Sequence, residues 1–127
     1  MIERLFVYGT LRPGEANAHF LAKITGQWTA ASLIGFHFPS GYGATEGYPV
    51  LVPSPSGRPI AGLVFEAEFT IGQWRMLDDF ETDAYQRVVA RVTMTSKARL
   101  SACVYAYVYA LNQDDLKTLK HKRLNVA

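Results

Sequence analysis

The chain has 127 residues, 49% of them hydrophobic and 19% charged, with a net charge of +2. That is the length and composition of one globular domain, residues 1–127, able to bury a core without disulfide or metal staples. The small charge argues against a nucleic-acid or membrane partner, the lone Cys103 excludes an internal disulfide, and no apolar run reaches the length of a membrane span.

The N-terminus carries an acid early and has no small-residue cleavage site, so it reads as a strand rather than a signal peptide. The expected location is therefore cytoplasmic. Leu5-Phe6-Val7-Tyr8 is a short apolar run stopped by Gly9, as in a buried first strand. Arg12-Pro13-Gly14 follows as a turn. Residues 16–24 read as a helix ended by Gly26, and residues 28–36 as a strand. Residues 39–59 are rich in Gly, Pro and Ser, with Val50-Leu51-Val52 as a short strand among them. Residues 60–69 alternate, which turns Ala61, Leu63, Phe65, Ala67 and Phe69 inward and Glu66 and Glu68 outward. Thr70 and Gln73 have the spacing of a capping box, which starts a helix over 71–80 with Ile71, Trp74 and Leu77 as its apolar stripe. Val88, Ala90, Val92 and Met94 share one face of the next strand. A last strand over 101–111 puts Cys103, Tyr105, Tyr107 and Tyr109 on one side, and residues 114–124 form a short helix or frayed end. About six strands and two or three helices give an α+β fold, a small curled or closed sheet with helices packed outside.

Three stretches are candidates for chemistry. In Tyr8-Gly9-Thr10-Leu11 a buried strand ends in a glycine, which permits unusual dihedrals and close approach to a ligand. Successive N–H groups in such a turn can hold an anion or a developing oxyanion; the competing reading is a plain tight turn. The acids Asp78, Asp79, Glu81 and Asp83 sit at the C-terminal end of the 71–80 helix, where they oppose its macrodipole. Phe80 and Tyr85 flank Glu81 and can desolvate it, while Arg87 is close enough in sequence to pair with it instead. The glycine-rich loop 41–49 has neither dinucleotide nor phosphate-loop spacing and reads equally as a pocket wall or a surface loop.

The remaining polar residues point elsewhere. His19, His37 and His121 lack ligand-like spacing, so no metal is expected. Cys103 reads as a core thiol. The tyrosines at 105, 107 and 109 read as packing residues. The basic residues Lys117, Lys120, Lys122 and Arg123 suit a helix C-terminus rather than a nucleic-acid patch. Trp28 and Tyr42 either serve a dimer or finish a core; a monomer or weak homodimer is expected.

Three features stand in order along the chain: residues 6–14 around Tyr8-Gly9-Thr10-Leu11; Gly47-Tyr48-Pro49 with the strand beginning near Ala61; and Leu77-Asp78-Asp79-Phe80-Glu81 with Tyr85-Gln86-Arg87 after it. Together they resemble the γ-glutamylcyclotransferase-like family, which includes the avirulence-induced-gene-2-like proteins, and the third segment resembles its γ-glutamylamine branch most. The resemblance implies a small, partly closed mixed β-barrel with flanking helices. It implies Glu81 as the catalytic acid/base, and Tyr8, Gly9, Thr10, Leu11 and Tyr85 as substrate-binding residues. Many members have Gly directly after the catalytic glutamate where this chain has Thr82, a departure that bears on how the loop presents Glu81.

The family reaction is an internal aminolysis that needs no cofactor. The α-amine of a γ-glutamyl group attacks its own γ-carbonyl, 5-oxoproline forms, and an amine or amino acid leaves. The expected partner is thus a small γ-glutamyl substrate. The alternative expectation is a module that binds a small metabolite or peptide end in the same pocket without turning it over.

Overall fold

The computed structural model describes residues 1–40, 49–82, 84–96 and 98–111. They form strands β1 (Glu3–Val7), β2 (Gly26–Phe38), β3 (Val50–Pro53), β4 (Arg58–Ala67), β5 (Tyr85–Thr95) and β6 (Ser101–Leu111), with helices α1 (His19–Ala22) and α2 (Ile71–Glu81). All six strands belong to one sheet in the order β3-β2-β4-β1-β6-β5. A further pairing of β2 with β5, from Ala30↔Thr95 to Ser32↔Thr93, closes five of them into a barrel. β1 and β6 run parallel and the other pairs antiparallel, so the barrel is mixed.

The sheet buries residues on both faces, and this is where the alternation in residues 60–69 misleads. Phe6, Ala31, Leu33, Val64, Val92, Ala106 and Val108 fill the barrel interior, with Leu51 of β3 joining them. The odd residues of β1 and β4, Leu5, Val7, Phe65 and Ala67, face outward and pack beneath Leu21 of α1 and Trp74 and Leu77 of α2. A closed barrel covered by helices has two insides, so Val64 is as buried as Phe65 while Ala61, beyond the helices, is exposed. Val88, Ala90, Val92 and Met94 do share one face, the interior one.

α2 begins as its sequence dictates. Thr70 Oγ1 accepts from the Gln73 N–H at 3.0 Å and Gln73 Oε1 accepts from the Thr70 N–H at 2.8 Å, closing the capping box. Its apolar stripe is narrower than expected, for Ile71 in the first turn is exposed. Trp74 and Leu77 carry the contact, and Trp74 Nε1 also donates to Glu3 Oε1 at 3.1 Å. The expected helix over 16–24 shrinks to the four residues of α1, flanked by tight turns. The residue at its N-cap is Ala18, which offers no side-chain cap. The nearby Asn17 spends its side chain on Thr10 instead.

Two further expectations change. Cys103 is exposed, because its end of β6 runs past the helices, and Arg91 Nη2 lies 3.2 Å from its sulfur. Tyr105 is exposed likewise, whereas Tyr107 and Tyr109 pack under α2. Trp28 is half-buried against Phe65, ring centroids 4.5 Å apart, and finishes the outer core layer. The loop 41–48, Asp83 and the basic stretch from Lys117 to Arg123 lie outside the described residues. Among the described residues no helix is long and apolar enough to cross a membrane.

Candidate active site

β1 delivers Tyr8-Gly9-Thr10-Leu11 to one end of the barrel, and the end of α2 delivers Phe80 and Glu81 to the same place. A cavity of ≈ 380 Å³ lies between them, with Asn17, Pro49, Tyr85 and Tyr109 also in its walls. The turn and Glu81, about seventy positions apart in the chain, thus share one space. Helical geometry explains the glutamate. Trp74, Leu77 and Glu81 are spaced i, i+3, i+7, so Glu81 continues the buried stripe where an apolar residue would ordinarily sit.

The turn is held through its carbonyls and the Thr10 hydroxyl. The Gly9 carbonyl accepts from the Arg12 N–H at 3.2 Å and from Arg12 Nε at 3.0 Å. The Thr10 carbonyl accepts from the Asn17 N–H at 2.9 Å, and Thr10 Oγ1 accepts from Asn17 Nδ2 at 2.9 Å. The carbonyls are satisfied, whereas the Thr10 and Leu11 N–H groups have no backbone acceptor among the described residues. Gly9 makes no use of the unusual dihedrals that glycine permits; among the described glycines only Gly14 has a positive φ. What its missing side chain supplies is room, since a Cβ there would stand 3.3 Å from the Pro49 ring.

Burial pushes the Glu81 carboxyl up to about 7, because the charged form loses hydration and gains no cationic partner among the described residues. Three tyrosines in the walls have each committed their proton. Tyr8 donates to the Tyr109 carbonyl at 2.6 Å, Tyr85 to the Pro49 carbonyl at 2.9 Å, and Tyr109 to Asp78 Oδ1 at 2.7 Å. Burial, then the nearby Tyr85 and Glu81, push the Tyr8 phenol well above its ordinary value, so it stays protonated.

The other acids part company with Glu81. Asp78 takes Arg87 in a bidentate pair, Nε to Oδ1 at 2.9 Å and Nη2 to Oδ2 at 3.2 Å. Burial would raise its carboxyl, but the bonds from Arg87 and Tyr109 and the Arg87 charge outweigh that and hold it low. Arg87 is therefore engaged with Asp78, not with Glu81. Asp79 is exposed. His37 meets the Tyr8 ring edge-on at 6.2 Å, and His19 packs on Phe20 at 4.4 Å. No metal-ligating group of His, Cys, Asp and Glu occurs among the described residues. Asn17 was missed at the sequence level; an amide just past the turn, in a segment without a capping residue, was the available signal.

The model of the family "Gamma-glutamyl cyclotransferase, AIG2-like" matches residues 5–124, and the chain belongs to that family. A Drosophila melanogaster protein, named "Putative gamma-glutamylcyclotransferase", is 33% identical over 113 residues, covering 83% of this chain and 69% of its own. Among solved structures, YkqA of Bacillus subtilis superposes with a TM-score of 0.66 at 29% identity, over 88% of this chain. This chain spans only 36% of YkqA's length. An AIG2-like protein of Mus musculus gives 0.65 at 24% identity, over 86% of this chain and 76% of the mouse chain. A protein of Arabidopsis thaliana gives 0.65 at 22% identity, over 97% and 85%. The last two likenesses speak to the fold alone, which is the mixed barrel with flanking helices expected from the sequence.

Proposed function

We propose that this chain releases 5-oxoproline from a γ-glutamyl amine or γ-glutamyl amino acid, with Glu81 as general acid/base and Tyr8, Gly9, Thr10, Leu11 and Tyr85 as the residues that hold the substrate. One observation carries the reading. In a chain of this family, a carboxyl pushed to about 7 shares a ≈ 380 Å³ cavity with a turn whose Thr10 and Leu11 N–H groups face no backbone acceptor among the described residues.

The substrate brings both reacting groups, so the first task is to fold it. Holding the α-amine against the γ-carbonyl is worth several kcal/mol, up to roughly 7–11 in ideal cases. The amine nitrogen attacks the γ-carbonyl carbon and the lactam C–N bond forms. The amine's proton passes to Glu81, and from there to the leaving nitrogen as the original amide C–N bond breaks. An ordinary glutamate is too weak a base for an ammonium, whereas one near 7 is matched to both transfers. The Thr10 and Leu11 amides receive a negative oxygen, either the substrate's carboxylate or its carbonyl oxygen as charge develops. The tyrosine hydroxyls cannot donate inward without breaking bonds they already make, so they shape the cavity and can accept from the substrate's N–H groups.

The test is 5-oxoproline release from a panel of γ-glutamyl amines and γ-glutamyl amino acids, with Glu81→Gln run alongside. Wild type should act on at least one member, and the variant should lose about 10² or more in kcat. Binding without release, unchanged in the variant, would identify a binding module instead.

A further inference from the structure

Asp78 and Arg87 stand behind the cavity wall. The Asp78 carboxylate takes three bonds there, from Tyr109 and from two nitrogens of Arg87, at 2.7, 2.9 and 3.2 Å. The guanidinium is also held by ring faces, 4.3 Å from the Trp74 centroid and 4.9 Å from that of Tyr107. A planar cation bonded bidentately and stacked on two rings is fixed in direction as well as place.

The groups around Glu81 make that fixation matter. Tyr8, just past β1, Tyr85 of β5 and Tyr109 of β6 share the cavity with Glu81, while Arg12, after the turn, and Arg87 of β5 are cations that flank those elements without lining it. α2 itself adds Asp78 and Asp79. Of the two cations, Arg12 is turned to the Gly9 carbonyl and to Glu15, 3.5 Å away. Arg87 is the one with a choice. Asp78 precedes Glu81 by three residues on the same helix, so the two carboxylates are separated by only about 4.5 Å of helix rise.

We propose that Asp78 is a positioning residue that sequesters Arg87 behind the wall and so keeps it off the Glu81 carboxyl. Freed from Asp78, Arg87 would find Glu81 one turn away. A cation at contact lowers a carboxyl by about 1–3 units, which would return Glu81 to the ordinary range and cost it its use as a base. The catalytic consequence rests on the reading of Glu81 given above; the geometry of the clamp does not.

The experiment is an NMR titration of the Glu81 side-chain carboxyl carbon, assigned by its loss in Glu81→Gln, in wild type, Asp78→Asn and Asp78→Asn/Arg87→Gln. In Asp78→Asn the midpoint should fall by about 1–3 units. In the double variant, with no charge at either position, it should return to within about half a unit of wild type. An unchanged midpoint in folded Asp78→Asn overturns the proposal. So does a double variant that stays low, since the fall would then come from a displaced helix. If Asp78→Asn does not fold, Asp78→Ala takes its place in the same comparison, with a fall of about 1–3 units supporting the clamp and an unchanged midpoint overturning it. The acid limb of kcat/KM for 5-oxoproline release should move with the midpoint. A wild type that releases none sinks the proposed function, while the titration still decides the clamp.

Discussion

Burial lifts the Glu81 carboxyl from an ordinary 4.5 to about 7, and what helps proton transfer weighs on the fold. The native state binds this proton more tightly than the unfolded chain does. The stability it contributes is therefore fully present below about pH 4.5, and is lost as pH rises through 7. The window's full width corresponds to on the order of 3 kcal/mol, an upper figure because the side chain keeps some contact with water. Glutamine has the same shape and no charge. Glu81→Gln should thus match wild type near pH 4 and exceed it by about 1–3 kcal/mol near pH 8.5, read from urea denaturation at the two pH values. An equal difference at both would mean that the charge is not what strains the site. On the proposed mechanism, in which the attacking amine needs the ionised carboxylate, kcat/KM of wild type should rise in the same pH range with an apparent midpoint near 7. The sequence showed four acids at a helix end and could not rank them by composition. Only the i, i+3, i+7 relation to Trp74 and Leu77 turns Glu81 inward. The choice Arg87 makes between Asp78 and Glu81 is a matter of Å, invisible to spacing.

At the scale of elements, α2 starts and stops by different means. Its start was legible, because a capping box is local chemistry written four residues long. Its end is not, since Thr82 closes the helix at φ 60 and ψ −174, a region populated almost wholly by glycine and costing a side chain about 1–3 kcal/mol. Glycine, which the resemblance implies for many members at this position, would fit that backbone without strain. In this chain Thr82 Oγ1 accepts a long bond from the Ala84 N–H at 3.3 Å. Thr82→Gly removes the strain and adds about 0.5–1 kcal/mol of unfolded-state freedom, so the net expectation is a gain of about 1 kcal/mol. Thr82→Ala keeps the strain and loses the bond, and should be less stable than wild type. Paired denaturation curves separate the two effects; a destabilised glycine variant would show that the hydroxyl outweighs the backbone. α1 was overdrawn for a related reason: the apolar spacing of residues 16–24 suits a helix, but with Ala18 at the N-cap and Asn17 bonded to Thr10 there is nothing to start a long one.

Across the whole molecule, strand number and barrel closure were legible from alternation and length, but the assignment of faces was not. Alternation tells which residues share a side, and where the helices cover the barrel, over β1, the end of β4 and the end of β6, both sides are interior. Gly62 shows how the two layers meet the site. A Cβ there would lie 2.6 Å from Phe6 Cζ and 2.6 Å from the Val7 carbonyl oxygen, inside any allowed contact. The glycine leaves the barrel interior free for the Phe6 ring, which also lines the cavity and stacks toward Tyr8 at 6.4 Å. Gly62→Ala should cost about 1–3 kcal/mol by overpacking and lower kcat/KM through the displaced wall. If the ring is the obstacle, shortening it in Gly62→Ala/Phe6→Leu should recover part of that loss, a coupling of about 1 kcal/mol in a double-mutant cycle. Recovery stays partial, because the Val7 carbonyl belongs to the β1–β4 ladder and cannot move aside. Strict additivity would place the whole clash on that carbonyl, and would separate barrel packing from the shape of the site.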